Sequence, residues 1–262
     1  MLPVWWLLVS STKSSGELFS SFGFWLGHHN DLASKLRQLV NCRGGIFFCW
    51  LLNSAVYAGV GSVVATLLAA AAWFVFAKYS FRGRRAAFRL VLAGVLVPPN
   101  LLALPLYLTF NSVHAVNTFW SVFFPTSESP FGVYLARIYA ETGVPNEVID
   151  AARIDGGSET RIFRSIALRL MTPAVITIFL LQFVAIWTNF LLPLMMLNNE
   201  HLFPVTLGLY TLNGLTNEAG APPNVVALVV MGVLISIIPL VIAFLLLQRY
   251  WRGGIVVGAV QG

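Results

Sequence analysis

The segment Ile46–Ala77 constrains this chain more than any other feature, because it carries no charged side chain over its whole length. A helix rises about 1.5 Å per residue, so about 20 apolar residues cross a hydrocarbon core of ~30 Å. Ile46–Ala77 exceeds that need and is read as a tilted span or one with an interfacial end. Composition agrees: 58% of the 262 residues are hydrophobic and only 10% are charged. A soluble domain carries about 25% charged residues, so this chain lacks the polar surface to cover a particle in water.

Four further spans follow from the same criterion: Leu90–Phe110, Asn117–Ala140, Met171–Leu197 and Asn224–Leu247. Pro98, Pro99 and Pro105 interrupt the first of these, and the polar knot Thr126–Ser129 sits in the second. Leu2–Ser10 is apolar but only about half a bilayer long, and it lacks the basic start and cleavage site of a signal peptide. It is read as part of a first span that begins upstream. The expectation is an all-α integral membrane protein of six transmembrane helices, the first one truncated. Residues 1–10 are the partial first span and 11–45 an extracytoplasmic segment. The transmembrane body covers 46–247, and 248–262 form a cytoplasmic tail.

Charge sets the orientation. Lys78, Arg82, Arg84, Arg85 and Arg89 crowd one loop, Arg137, Arg153, Arg161, Arg164 and Arg169 lie around another, and Arg249 and Arg252 sit in the tail. With six spans these fall on one face, so the positive-inside rule places both ends of the chain in the cytoplasm. The net charge of +6 therefore reflects topology and not affinity for nucleic acid. Leu32–Arg43, on the opposite face, has the pattern of a short amphipathic helix.

The stretch Gly143–Pro173 is not a span. Asn146 is placed to cap a short helix with Glu147 in its first turn, and Val148, Ile149, Ala151, Ala152 and Ile154 give that helix an apolar side. Gly156-Gly157 stops it. Ser158 can cap a second helix in which Ile162, Phe163, Ile166, Ala167 and Leu170 form one stripe. Such a hairpin suits docking into a groove on another protein, and equally suits lying on lipid headgroups.

Here the chain resembles the permease subunits of binding-protein-dependent ABC importers. Asp150-Ala151-Ala152 stands where their cytoplasmic signature has Glu-Ala-Ala, followed by Ile154-Asp155-Gly156. Phe163, Ile166, Leu168 and Pro173 match its second half. Asp150 shortens the signature glutamate by one methylene, and Arg169 replaces a proline. Asn53-Ser54, Pro98, Pro105-Leu106-Tyr107, Trp187–Leu191 with Pro193-Leu194, and the ending Gly258–Gly262 resemble the maltose-type carbohydrate branch. The resemblance implies a bacterial cytoplasmic-membrane subunit that moves a sugar, oligosaccharide or glycerol-phosphate-like solute inward by alternating access. It implies a second homologous permease, two ATPase subunits and an extracytoplasmic solute-binding protein as partners. It also implies a coupling element at 143–170, with Glu147, Asp150, Ala151, Ala152, Asp155, Gly156, Gly157, Phe163 and Ile166 facing the ATPase.

Glu128, Trp187 and Asn189 are candidates for the solute path. Intramembrane carboxylates usually face a cavity, and an aromatic face beside an amide suits a sugar ring. Glu128 in an exposed turn between Pro125 and Pro130, and Trp187 and Asn189 in helix packing, are the competing readings. No GxxxxGK[ST] phosphate loop occurs, so ATP and Mg²⁺ belong to a partner and the chain itself binds no cofactor. His28, His29, His114 and His201 are scattered and predict no metal site. The alternative is an ion-coupled secondary transporter acting without an ATPase. Such machines need several intramembrane ionisable groups, and here Glu128 stands alone.

Overall fold

The structure is a computed structural model that describes residues 2–27, 32–217 and 225–254. Every regular element among them is helical, as hydrocarbon requires of an open chain, since only a helix satisfies its own peptide groups. The N-terminal part holds α1 (Leu2–Thr12), α2 (Ser15–Ser20) and α3 (Leu32–Asn41). The long α4 (Ile46–Lys78) follows, then α5 (Arg84–Leu96), α6 (Ala103–Ser112), α7 (Phe119–Thr126) and α8 (Pro130–Gly143). Three short helices come next: α9 (Asn146–Ile154), α10 (Glu159–Ile162) and α11 (Leu168–Leu170). The chain closes with α12 (Thr172–Trp187), α13 (Leu191–Met196), α14 (Val205–Gly214) and α15 (Val225–Gly254).

Helix α4 is the axis of the molecule. It is apolar all round, so no hydrophobic face distinguishes its buried side; over its middle, residue size does. Ala58, Gly61, Ser62, Ala65, Thr66, Ala69 and Ala70 are buried at alternating steps of three and one, while Val56, Val60, Val63, Leu67 and Leu68 point outward. That stripe of small side chains lets α8 and α12 approach the α4 backbone, the usual route to helix association where lipid is as apolar as leucine. Two buried clusters flank the stripe. One, toward the N-terminal end of α4, gathers Phe47, Trp50, Tyr57, Trp187, Met196 and Leu207. The other gathers Trp73, Phe74, Ala136, Ile149, Ile162 and Ala174.

Among the described residues Ile46–Lys78 and Val225–Gln248 qualify by length and apolarity as unbroken spans, and two bent pairs bring the number to four if each is one span. Arg84–Leu96 and Pro99–Ser112 meet at 99°, and Glu159–Leu170 meets Thr172–Trp187 at 81°. Three segments expected as spans are interrupted, the first at the prolines and the second at the polar knot already visible in the sequence. Leu90–Phe110 breaks at Val97-Pro98, Asn117–Ala140 at Ser127–Ser129, and Met171–Leu197 at Thr188–Phe190. The cause is local in each case: prolines without donors at 98, 99, 130 and 193, and hydroxyl or amide side chains that compete for backbone groups. The expected start at Asn224, His28 and His29, and the ending Gly258–Gly262 lie outside the described residues.

One face of α4 also pins the chain that precedes α14. The Trp50 indole donates to the Glu200 carbonyl at 2.9 Å, and Asn53 Nδ2 donates to the carbonyls of His201 and Phe203 at 2.7 and 3.0 Å. Ser54 Oγ accepts from Val205 N–H at 2.7 Å. In the N-terminal part Lys35 Nζ donates to the carbonyls of Ser11 and Lys13, at 2.9 and 2.7 Å, and so ties α3 to the end of α1. Replacing Asn53 by Leu removes the donor to the Phe203 carbonyl and leaves that of His201 only the Cys49 thiol at 3.3 Å, and is expected to cost about 1–3 kcal/mol. Thermal unfolding in detergent should show the loss, while Leu67→Ala, on the outward face, should leave the midpoint unchanged.

Candidate coupling surface and solute cavity

The hairpin α9–α11 is held to the membrane body through its apolar side. Ile149 and Ala167 are fully buried and Ile162 is 1% exposed, packed among Trp73, Phe74, Ala140 and Met171. Phe163 lies with its ring centroid 5.3 Å from that of Phe74, and Ile166 is half-buried beside it. Lys78, the last residue of α4, donates to the Val144 carbonyl at 3.2 Å and to Asn146 Oδ1. Asn146 was expected to cap α9; Pro145 holds that position and Asn146 instead receives the Lys78 ammonium.

The turn out of α9 is a complete Schellman arrangement. Gly157 N–H donates to the Ala152 carbonyl and Gly156 N–H to that of Arg153, both at 3.0 Å. Gly156 has φ +76°, the left-handed region that glycine enters without steric cost. Gly157 is required for a different reason: a Cβ there would lie 2.8 Å from the Ala152 carbonyl oxygen. The two glycines therefore fix how α10 leaves α9.

Across the turn, Arg153 clamps Glu159 with Nε and Nη2 at 2.7 and 3.2 Å, and its Nη1 reaches Asp150 at 3.1 Å. Hydrogen bonds from Arg153 and then from Tyr79 hold the Glu159 carboxyl below the ordinary carboxylate range. The group is solvent-exposed, so the clamp adds specificity of shape more than stability. Asp150 in place of glutamate thus has a local partner. Arg169, in place of proline, lies within α11, and the chain bends just beyond it at Met171.

What the hairpin presents outward is mixed. Glu147, Asp150, Ala151, Asp155 and Gly156 are exposed, and Ala152 and Gly157 are half-buried. Ile154 is 87% exposed and Val148 41%. The apolar side of α9 is thus split: Ile149 turns into the body while Ile154 stands free at the tip. Periodicity over so short a helix could not separate them, and neither Ile154 nor the Arg153–Glu159 clamp was singled out from sequence.

The three interrupted spans open onto one cavity of about 710 Å³. Its polar lining includes Asn100, Thr126, Glu128, Gln182, Thr188 and Asn189. Irregular backbone at membrane depth is tolerated where it lines such a space. Gln182, which the sequence did not mark, donates through Nε2 to the carbonyls of Thr126 and Glu128 at 2.9 and 3.1 Å. It thereby satisfies acceptors released where α7 ends. Asn189 contributes its carbonyl to Thr206 Oγ1 at 3.0 Å. Glu128 and Asn189 are brought together; Trp187 is not. It is 3% exposed, stacks on Phe183 and donates its indole N–H to the Ser236 carbonyl at 3.2 Å. Among the described residues no cluster of three or more His, Cys, Asp or Glu forms a metal site.

A membrane body with a helical hairpin clamped at one end and a polar cavity at its broken spans defines a transport subunit. Residues 51–252 match the family described as binding-protein-dependent transport system inner membrane component, and the chain belongs to that family. It is a transport component rather than an enzyme, and the membership sets aside the ion-coupled secondary transporter. The chain is similar over its full length to the arabinooligosaccharides transport system permease protein AraQ of Bacillus subtilis. The two are 32% identical over 267 aligned residues, with 91% of the relative covered. Its likeness to AraQ of Halalkalibacterium halodurans is 37% over 262, with 100% of this chain and 91% of the relative covered. The melibiose/raffinose/stachyose import permease protein MelC of Bacillus subtilis is 26% identical, again over all of this chain and 91% of the relative. A crystal structure of a bacterial ABC transporter involved in the import of the acidic polysaccharide alginate shares the fold. It gives a TM-score of 0.80 at 21% identity, covering 95% of this chain and 90% of the other.

Gly156→Ala forces a left-handed residue to carry a Cβ, which costs about 1–2 kcal/mol. Hydrogen exchange of the Asn146–Ile154 amides should accelerate on the order of 5–30-fold in this variant, with exchange along α12 unchanged.

Proposed function

We propose that the chain is the membrane-spanning permease of an ATP-driven importer for an oligosaccharide or related sugar, working by alternating access. In this reading it pairs with a second permease, two ATPase subunits that hold ATP and Mg²⁺, and an external solute-binding protein. Six spans place both termini in the cytoplasm and α9–α11 on the cytoplasmic side. The ATPase grips Glu147, Asp150, Asp155 and Ile154, while Ile149, Ile162 and Phe163 carry the motion into the body.

One observation carries this reading: an exposed acidic and apolar tip on a hairpin whose other side is fully buried. A headgroup-lying connector would turn Ile149 and Ile162 toward lipid and keep its acids away from an anionic surface. The sugar assignment is supported by the full-length relatives and by a cavity lined with amides and hydroxyls, groups that hydrogen-bond a polyol without demanding charge. Glu128 and Asn189 belong to the solute path in this reading. Trp187 braces α12 against α15 behind it.

Ile154→Asp and Asp150→Lys should each abolish co-purification of the ATPase subunits from detergent while leaving membrane insertion intact. Recovery of stoichiometric ATPase with Ile154→Asp would contradict the assignment of the tip. In intact cells Asn189→Leu should lower labelled oligosaccharide uptake at least tenfold with ATPase co-purification unchanged. Unaltered uptake would remove Asn189 from the path.

A further inference from the structure

A second cavity of about 740 Å³ lies at the opposite side of the molecule from the outer loops, between the end of α4, the start of α5 and the junction of α8 with α9. Its floor is aromatic, with Trp73, Phe76 and Phe88, and its rim holds Arg84, Arg85, Arg89 and Arg137. Two carboxylates, Glu141 and Glu147, share the lining. Glu141 is engaged by Arg137 Nε at 3.0 Å, and the Arg137 guanidinium also sits over the Phe88 ring at 4.3 Å. Arg84 reaches only the Tyr79 carbonyl, at 3.4 Å. Arg85 and Arg89 make no ion pair among the described residues. Both arginines, with Arg84, also line an adjoining cleft of about 500 Å³ along Ser80–Arg89.

We propose that this crevice seats the phosphate of an anionic phospholipid from the cytoplasmic leaflet, held by Arg84, Arg85 and Arg89 with Arg137 closing one side. The inference rests on the cytoplasmic placement of the Lys78–Arg89 loop given above. The positive-inside rule accounts for basic residues in that loop, but not for their convergence on a space with an aromatic floor. Arginine is the side chain suited to bidentate phosphate binding. Basic pockets between spans on the cytoplasmic side are the places where such headgroups lodge. A lipid fits better than a soluble anion because the crevice opens onto an outward apolar surface. Leu90 on α5 is 76% exposed, and Tyr134 and Ile138 on α8 are 39% and 46% exposed, so acyl chains can lie beside both helices. A headgroup there would sit nearer the arginines of α5 than Glu147, whose carboxylate repels a phosphate and confines it to the Arg84–Arg89 side of the crevice.

The test uses the assembled transporter in detergent, with bound lipid counted by native mass spectrometry during titration with phosphatidylglycerol and, separately, phosphatidylcholine. Wild type should hold phosphatidylglycerol in preference, and Arg85→Gln with Arg89→Gln should weaken that binding about fivefold per arginine removed. Arg82→Gln removes the same charge from the same loop outside the crevice and should leave it unchanged. Equal retention by wild type and the double variant would overturn the proposal. So would an equal loss with Arg82→Gln, which would mean diffuse attraction. Inorganic phosphate displacing phosphatidylglycerol at equimolar concentration would assign the site to a soluble anion instead. Loss of the ATPase or second permease from the double variant would assign the arginines to a protein partner. Either result counts against the lipid while leaving the importer reading standing.

Discussion

Hydrocarbon offers no partner for a free peptide group, and the architecture follows from where this chain lets its helices break. A span can stop at membrane depth only if protein or an aqueous space accepts its loose ends. The breaks at Val97-Pro98, Ser127–Ser129 and Thr188–Phe190 converge, so one polar cavity serves three interruptions. Gln182 supplies donors to two of the released carbonyls and Thr206 to a third. Among the described residues no buried side-chain nitrogen or oxygen lacks a partner. The cavity is thus a consequence of broken helices.

Helix α4 packs against both α12 and α8, which line that cavity, and against the hairpin. Its small-residue stripe runs from Ala58, near the Trp50–Tyr57 cluster, to Ala70, beside the Trp73–Phe74 pair on which Phe163 rests. Packed interiors transmit displacement because they do not compress. The hairpin itself is stiffened by the Schellman turn at Gly156-Gly157 and by Arg153 bridging Asp150 and Glu159. Ile149, Ile162 and Phe163 rest on α4 and α8 through Trp73, Phe74, Ala136 and Ala140, and α8 and α12 supply Pro130, Phe131, Gln182 and Ile186 to the cavity wall.

Much of this was legible in the residues. Long charge-free runs gave α4 and α15, and the Gly-Gly stop with flanking apolar spacing gave the hairpin. Other parts were not legible, for physical reasons. The prolines of Leu90–Phe110 and the polar knot of Asn117–Ala140 marked their breaks, but a hydropathy average reads through a single asparagine, so Met171–Leu197 looked continuous. In α9 two apolar residues five positions apart point in different directions, and only the body against which one packs decides which is buried. Gln182 and the Arg153–Glu159 clamp depend on partners 54 to 56 and six residues away. No local pattern announces such pairs. Trp187 was open between the path and helix packing, and its indole N–H donates into α15 at the Ser236 carbonyl.

The claim on which the account turns is that the hairpin is mechanically joined to the spans through the Phe163–Phe74 contact. It is tested most directly by the number of ATP molecules hydrolysed per sugar imported in proteoliposomes carrying the complete transporter with Phe163→Ala. The account predicts an intact complex that still hydrolyses ATP but spends several-fold more of it per sugar. An unchanged ratio at normal uptake would show that motion reaches the cavity by another route.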